Sequence, residues 1–331
     1  MHTLFRLLFL AIFSIILLVG WFYLHVHSSI RLLTTSYEFS IPPGSSLKQV
    51  SQQLEDVGVI HSKWSFILLA RYLDRESAIK AGDYHLTSNL TQISLLEYLT
   101  KGDAKQNAIQ FIEGWTFSQL KKILEEHPNI QHAIDGLTEQ DILQQIGAIE
   151  TTAEGLFFPD TYFFIKGDSD IHILRRAYLA MQTHLQNTWQ SRSEDLPLTT
   201  PYEALILASI IEKETGTESD RAHIAGVFIN RLRKGMKLQT DPTIIYGLGE
   251  QFDGNLRKKD LLADQAYNTY TRAGLPPTPI ALPSLASIRA ALNPAETDAL
   301  YFVAKGNGES EFSTNLADHN KAVNKYQKQQ K

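Results

Sequence analysis

Thr200-Pro201-Tyr202-Glu203-Ala204-Leu205-Ile206-Leu207-Ala208-Ser209-Ile210-Ile211-Glu212-Lys213-Glu214-Thr215-Gly216 is the stretch on which the reading of this chain turns. Thr200 is placed to cap a helix, Pro201 takes its first position, and Glu203 completes a capping box. Gly216 fits the stop. Between these signals the run is apolar on every side, and such a helix is buried on every side. Glu212 closes the run, so its carboxyl group is expected at the edge of a core. Burial and the negative end of the helix dipole both disfavour the ionised form, which predicts a raised pKa. A carboxylic acid held protonated near neutrality is what a general acid requires. The plainer alternative is a glutamate that returns to solvent and pairs with Lys213 or Arg221. Glu214 points about 200° away on the helix, so the two glutamates cannot act as a facing pair.

On the C-terminal side, a helix is expected over Arg221–Arg233, with Ile224, Val227, Phe228 and Leu232 inward. Gln239-Thr240-Asp241-Pro242-Thr243 has the form of a helix start, and Tyr246 follows in the same segment. Tyr267-Asn268-Thr269-Tyr270 alternates aromatic with amide or hydroxyl groups. Tyr301-Phe302-Val303-Ala304 and Glu311-Phe312-Ser313 flank Asn307-Gly308, a hairpin signal. Asn315, His319 and Asn320 follow it. Each piece alone has a structural reading as cap, strand or loop. Their concentration after Glu212 suggests a site for a neutral polyol. The candidate binding residues are Gln239, Thr240, Asp241, Tyr246, Asn268, Tyr270, Asn315, His319 and Asn320.

On the N-terminal side, Gly155-Leu156-Phe157-Phe158-Pro159-Asp160-Thr161-Tyr162 reads as an aromatic loop or strand edge, and Ile171–Thr188 as a helix. Thr116 with Gln119 forms a capping box, after a strand at Ile109–Ile112. Earlier still is a small α/β unit. Tyr37–Ile41 alternates like a strand, and Pro42-Pro43-Gly44 turns the chain. Ser46 and Gln49 box a helix ended by Gly58. Ser62 is placed to cap a second helix with a broad apolar side of Trp64, Phe66, Ile67, Leu69 and Tyr72. A strand at Lys80–Leu86 and a helix at Thr91–Lys101 complete the unit.

The chain opens with Leu7–Leu24, an uncharged run of 18 residues. At about 1.5 Å per residue it spans roughly 27 Å, close to the hydrocarbon thickness of a bilayer. Trp21 and Tyr23 suit the outer interface, and Arg6 points to an inside N-terminus. A cleaved signal peptide is the competing reading, but His25-Val26-His27-Ser28-Ser29 carries no small-x-small cleavage site. The expected organisation is a cytoplasmic N-terminus over 1–6, a transmembrane anchor over 7–27, a linker over 28–36, a small domain over 37–105 and a larger one over 106–331. In a bacterium the larger part would lie on the periplasmic or extracytoplasmic side of the inner membrane. The expected fold class is α+β.

Composition narrows the chemistry. The 331 residues are 43% hydrophobic and 20% charged, as in a folded chain long enough for two domains. A net charge of −5 without a basic block gives no footprint for nucleic acid. The absence of cysteine excludes disulfides, thiolate zinc sites and a thiol nucleophile. No His-Glu-x-x-His, GxSxG, phosphate-binding loop or dinucleotide-binding glycine pattern occurs. No metal and no cofactor is therefore expected.

Several strings together resemble the endolytic murein transglycosylases, the YceG-like proteins. They are Leu207–Thr215, Val227–Leu232, Leu238–Thr243, Ala266–Tyr270, Gly274–Pro277, Tyr301–Val303 and Glu154–Tyr162, in that family's order. The Pro277-Thr278-Pro279 loop departs from the glycine-containing form. The resemblance covers residue 37 to the C-terminus and implies a LysM-like first unit and a YceG-like catalytic domain. It implies a membrane-anchored lyase that cuts nascent peptidoglycan strands internally, with peptidoglycan synthases as partners. It places the catalytic glutamate on Glu212. A muramidase-type hydrolase and a non-catalytic glycan-binding scaffold are the alternatives.

Overall fold

A computed structural model describes residues 36–87, 91–101, 107–164, 166–215 and 217–328, with Phe13, Gly20 and Ile30 as isolated positions. The apolar run Leu7–Leu24 and the helix stop at Gly216 lie outside the described residues, save Phe13 and Gly20 within the run. Among the described residues no helix is long and apolar enough to cross a membrane. The architecture is α+β. The chain divides into two compact units, with the division at about residue 108 and a short return of 129–131 and 163–168 to the first.

The first unit runs β1 (Ser36–Ile41), α1 (Leu47–Asp56), α2 (Lys63–Tyr72), β2 (Gly82–Thr87) and α3 (Gln92–Lys101). β1 and β2 pair antiparallel, with Phe39 opposite Tyr84 and Ile41 opposite Gly82. Period-2 alternation turns Phe39, Ile41, Tyr84 and Leu86 onto one core with Val50, Leu54, Phe66, Leu95 and Leu99. Ile30 is buried in the same core. The capping box of Ser46 and Gln49 forms as read from sequence. Ser62 stands at the N-cap of α2 without a side-chain cap; the Glu55 carboxylate accepts from the Lys63 amide instead, at 3.0 Å. The broad apolar side expected for α2 is narrower than that. Phe66 and Leu69 enter the core, while Trp64 and Tyr72 are 65% and 80% exposed. They lie with Leu68 on an i, i+4, i+8 row, on the side of the helix turned away from Phe66 and Ala70.

The second unit carries β3 (Asn107–Gln110) and β4 (Thr161–Phe164) at its boundary, then α4 (Phe117–Glu125) and α5 (Glu139–Ile146). It continues with α6 (Asp170–Gln190), α7 (Pro201–Glu214), α8 (Glu218–Arg233), α9 (Asp241–Leu248), α10 (Lys258–Leu262) and α11 (Leu285–Leu292). The hairpin β5 (Tyr301–Ala304) and β6 (Ser310–Ser313) and the helix α12 (Leu316–Val323) close it. α7 is the central helix, buried from Ala204 through Ile211 and packed against α6, α8, α9 and α11. Its Thr200 cap and Pro201 are as the sequence indicates. α8 starts at Glu218, three residues before the expected Arg221, behind an acidic first turn that suits the helix dipole.

Two contacts fix the wall beyond α8. Gly226 lets the chain at Ala295 approach closely: a Cβ there would stand 2.7 Å from the Ala295 carbonyl oxygen. Asn230 then donates to the carbonyls of Thr297 and Ala299, at 2.6 and 3.1 Å. The segment leading into β5 is thereby bound to α8. The Pro277-Thr278-Pro279 loop is fixed by the Tyr267 and Thr278 hydroxyls, 2.8 Å apart, and by the Ile280 amide donating to Ser209 Oγ at 3.0 Å.

Candidate active site

The last turn of α7 sends its two glutamates into different surroundings. Glu212 faces the start of α11. Its Oε2 accepts from the Ser284 amide at 2.9 Å, the Ser284 hydroxyl at 2.5 Å and the Ser287 hydroxyl at 2.7 Å. Oε1 has no hydrogen-bond partner among the described residues. An amide N–H can only donate, so Oε2 serves as an acceptor and the carboxylate fastens α7 to the N-terminus of α11. The apolar surround expected from sequence for Glu212 is not what is found, because Ser284 and Ser287 come from a segment more than 70 residues away. Neither Lys213 nor Arg221 forms an ion pair with it; Lys213 reaches the Gly114 carbonyl at 3.1 Å. Glu113 lies close by. Burial, and then the Glu212 charge, raise its carboxyl above the ordinary range, against the pull of Arg221.

Glu214 faces a cavity of about 530 Å³ lined on its polar side by Arg231, Gln239, Asp241, Tyr270, His319 and Asn320. Five of the nine candidate binding residues therefore meet at Glu214, and none of these five reaches Glu212. A sixth, Thr240, is buried directly behind and donates its hydroxyl to the Glu214 carboxylate. That donation is why Thr240, although at the N-cap of α9, makes no side-chain cap there. The Tyr270 hydroxyl donates to Asp241 Oδ1 at 2.6 Å. Burial raises the Glu214 carboxyl above the ordinary range. The Thr240 hydrogen bond opposes this, the Asp241 charge adds to it, and Arg231 opposes it again. The carboxyl raised at the cavity is thus the second glutamate of the motif.

Arg231 and Tyr301 complete the cavity and were not singled out from sequence. Arg231 is buried and donates to the Leu300 carbonyl at 2.6 Å and the Leu238 carbonyl at 2.7 Å. Its guanidinium lies 5.1 Å from the Tyr301 ring, which stacks on His319 at 5.2 Å. Burial, followed by Arg231, holds the His319 imidazole below its usual range, so it is neutral at pH 7. The sequence signal that could have exposed Arg231 is a charged residue on the inward face of an otherwise apolar helix.

Three candidates fall elsewhere. Asn268 is buried and spends its amide on the carbonyls of Asp260, Leu261 and Ala263, while its oxygen accepts from the Tyr270 amide at 2.9 Å. It shapes the loop that presents Tyr270. Asn315 caps α12, accepting from the Asp318 amide at 2.9 Å. Tyr246 lines a second cavity, of about 470 Å³, with Glu154, Glu139 and Tyr267. There Glu154 is buried, accepts from the Phe117 amide at 3.0 Å and from Tyr246, and is raised by burial to about 7. No cluster of metal-ligating side chains occurs among the described residues.

Comparison with known proteins identifies the family. The model of the YceG-like family matches residues 39–325. The endolytic murein transglycosylase of Bacillus subtilis (strain 168) is 34% identical over 310 residues, covering 88% of this chain and 85% of that one. The protein of the same name from Streptococcus pneumoniae serotype 2 (strain D39) is 28% identical, across 86% of this chain and 57% of its own length. The crystal structure of a yceG-like protein from Listeria monocytogenes superposes with a TM-score of 0.56 at 31% identity, over 87% of this chain and 98% of that chain.

Proposed function

The chain belongs to the YceG-like family, and on that premise we propose that it is a lyase, an endolytic murein transglycosylase. It cuts peptidoglycan strands internally between N-acetylmuramic acid and N-acetylglucosamine and leaves 1,6-anhydro ends. The observation that carries the reading is the Glu214 carboxyl group, raised in pKa and facing a cavity of hydroxyl, amide and aromatic groups. Such a lining suits a neutral glycan.

Glu214, and not Glu212, is the general acid in this reading. Protonated, it gives its proton to the glycosidic oxygen as the bond to C1 breaks. Positive charge then develops on the sugar ring, and Asp241, oriented by Tyr270, is the carboxylate on hand to stabilise it. The substrate's own C6 hydroxyl attacks C1 and closes the anhydro ring. The Glu214 carboxylate takes the C6 proton and is restored. The nucleophile belongs to the substrate, so one acid-base carboxyl suffices. Glu212 serves the site indirectly, by fixing the end of α7 to α11.

The apolar run Leu7–Leu24 is a single-pass anchor in this reading. It holds the enzyme at the outer face of the bacterial inner membrane, beside the peptidoglycan synthases that make its substrate. The β-α-α-β order of the first unit supports a LysM-like assignment. The deciding experiment is a digest of purified glycan strands read by mass spectrometry. Anhydro ends, lost in Glu214→Gln, support the proposal. Reducing ends would indicate a hydrolase, and uncut strands a binding scaffold.

A further inference from the structure

We propose that the first unit rests on the bilayer surface through the exposed row Trp64-Leu68-Tyr72 of α2, which beds in the lipid interface. The proposal rests on the reading of Leu7–Leu24 as an anchor. Two observations carry it. The first is a length. The apolar run ends at Leu24, and Ile30 is already buried in the core of the first unit. Only residues 25–29 intervene. Whatever path they take, six residue steps reach at most about 20 Å. A unit of roughly 70 residues has a radius of gyration of about 11 Å. A tether no longer than the unit is wide keeps it against the membrane, and some face of it must meet the headgroups.

The second observation selects the face. Trp64, Leu68 and Tyr72 are 65%, 56% and 80% exposed and stand one turn apart on one side of α2, and Leu73 beside them is 39% exposed. An unbroken row of large apolar side chains in water is unusual in a folded surface. Its make-up is that of an interfacial helix: an aromatic residue at each end, an aliphatic one between, and long cations at the margin. Lys63 lies 5.6 Å from the Trp64 ring, and Arg71 follows at the far end, bridged to Glu76 at 3.1 Å. Asp74 and Glu76 balance Arg71 and Arg75, so the apolar row and not a net charge would hold the surface.

The absence of native cysteine makes the test direct. Full-length Leu68→Cys, carrying a polarity-sensitive fluorophore, is reconstituted into phosphatidylcholine vesicles, with Glu97→Cys on α3 as the comparison. The Leu68 probe should shift to shorter wavelength, be quenched by lipids spin-labelled near the headgroup, and resist aqueous iodide. The Glu97 probe should do none of these. Adding anionic lipid should change the signal little. A probe at Tyr72→Cys should return to the aqueous spectrum when Trp64→Ser and Leu68→Ser are added. A Leu68 probe open to iodide and untouched by lipid quenchers, in a protein that stays with the vesicles through alkaline carbonate, would overturn the proposal and leave the anchor standing. Release of the protein by carbonate would instead remove the anchor and the proposal with it. Shielding in vesicles that rises with protein density and is untouched by lipid quenchers would point to a second copy and also overturn it.

Discussion

Glu212 and Glu214 leave the same helical turn and belong to different parts of the molecule. The first gives one oxygen to three donors at the start of α11. The second has Thr240 as its hydrogen-bond donor, a carboxylate neighbour in Asp241 and a cavity in front of it. Both are half-buried, and both sit at the negative end of α7. The helix end therefore does not distinguish them. In the proposed reading the acid is the carboxyl at the cavity, raised by burial and then by the Asp241 charge.

The largest effect separating the two should come from Glu214→Gln. Loss of general acid-base catalysis lowers cleavage by about 10² to 10⁴, with the melting temperature unchanged. Anhydro ends counted by mass spectrometry, beside a thermal scan, measure both. If Glu212→Gln lost as much rate at unchanged stability, the two roles would have to be exchanged.

A third carboxylate sharpens the comparison, because it is buried and raised without facing the Glu214 cavity. Glu154 titrates near 7 in the folded protein and near 4.5 when unfolded. Between these values the folded state holds a proton that the unfolded chain has lost. The stability it contributes is therefore full below pH 4.5 and declines as pH rises to 7. The decline should be about 3 kcal/mol, from one pH unit being worth about 1.4. Denaturant titrations across this range should show the slope, and Glu154→Gln should flatten it.

Glu212→Ala should lower stability by about 1 to 3 kcal/mol, because the Ser284 amide loses its acceptor at a helix start. Cleavage per folded molecule should fall far less than in Glu214→Gln. A loss of activity at full stability would contradict the fastening role.

The smallest effects are shifts in the alkaline limb of kcat/KM. Thr240→Val removes a bond to the charged form of Glu214 and should move the limb to higher pH. Asp241→Asn removes a repelling charge and should move it lower. Opposite signs in the two variants are the decisive feature, and shifts of the same sign would mean the limb does not report Glu214.

The fold was legible wherever local chemistry decides it. The Ser46–Gln49 and Thr116–Gln119 boxes, Pro201 in α7 and the β5–β6 hairpin all form where their short-range signals stand. So did the gathering of Gln239, Asp241, Tyr270, His319 and Asn320 around one cavity. Which of the two glutamates lines the cavity was not legible. An all-apolar helix carries no preferred direction, so the sequence shows that its last two carboxyls diverge but not which one meets the cavity. Ser284 and Ser287 join Glu212 only in three dimensions. The placing of Asn268 and Asn315 away from the cavity has a related reason. An amide suited to a sugar is equally suited to a carbonyl or a helix cap, and only the partner distinguishes the uses.

Arg231 lines the cavity and joins the carbonyl of Leu238 to that of Leu300. A guanidinium is planar and rigid, so the separation of those two carbonyls is set by the size of one functional group. The opening in front of Glu214 is in effect gauged, as a slot is by a shim of fixed thickness. Lysine at this position would have to reach both carbonyls from a single nitrogen, without the fixed spacing of two. The slot would then take its width from the looser packing of its walls.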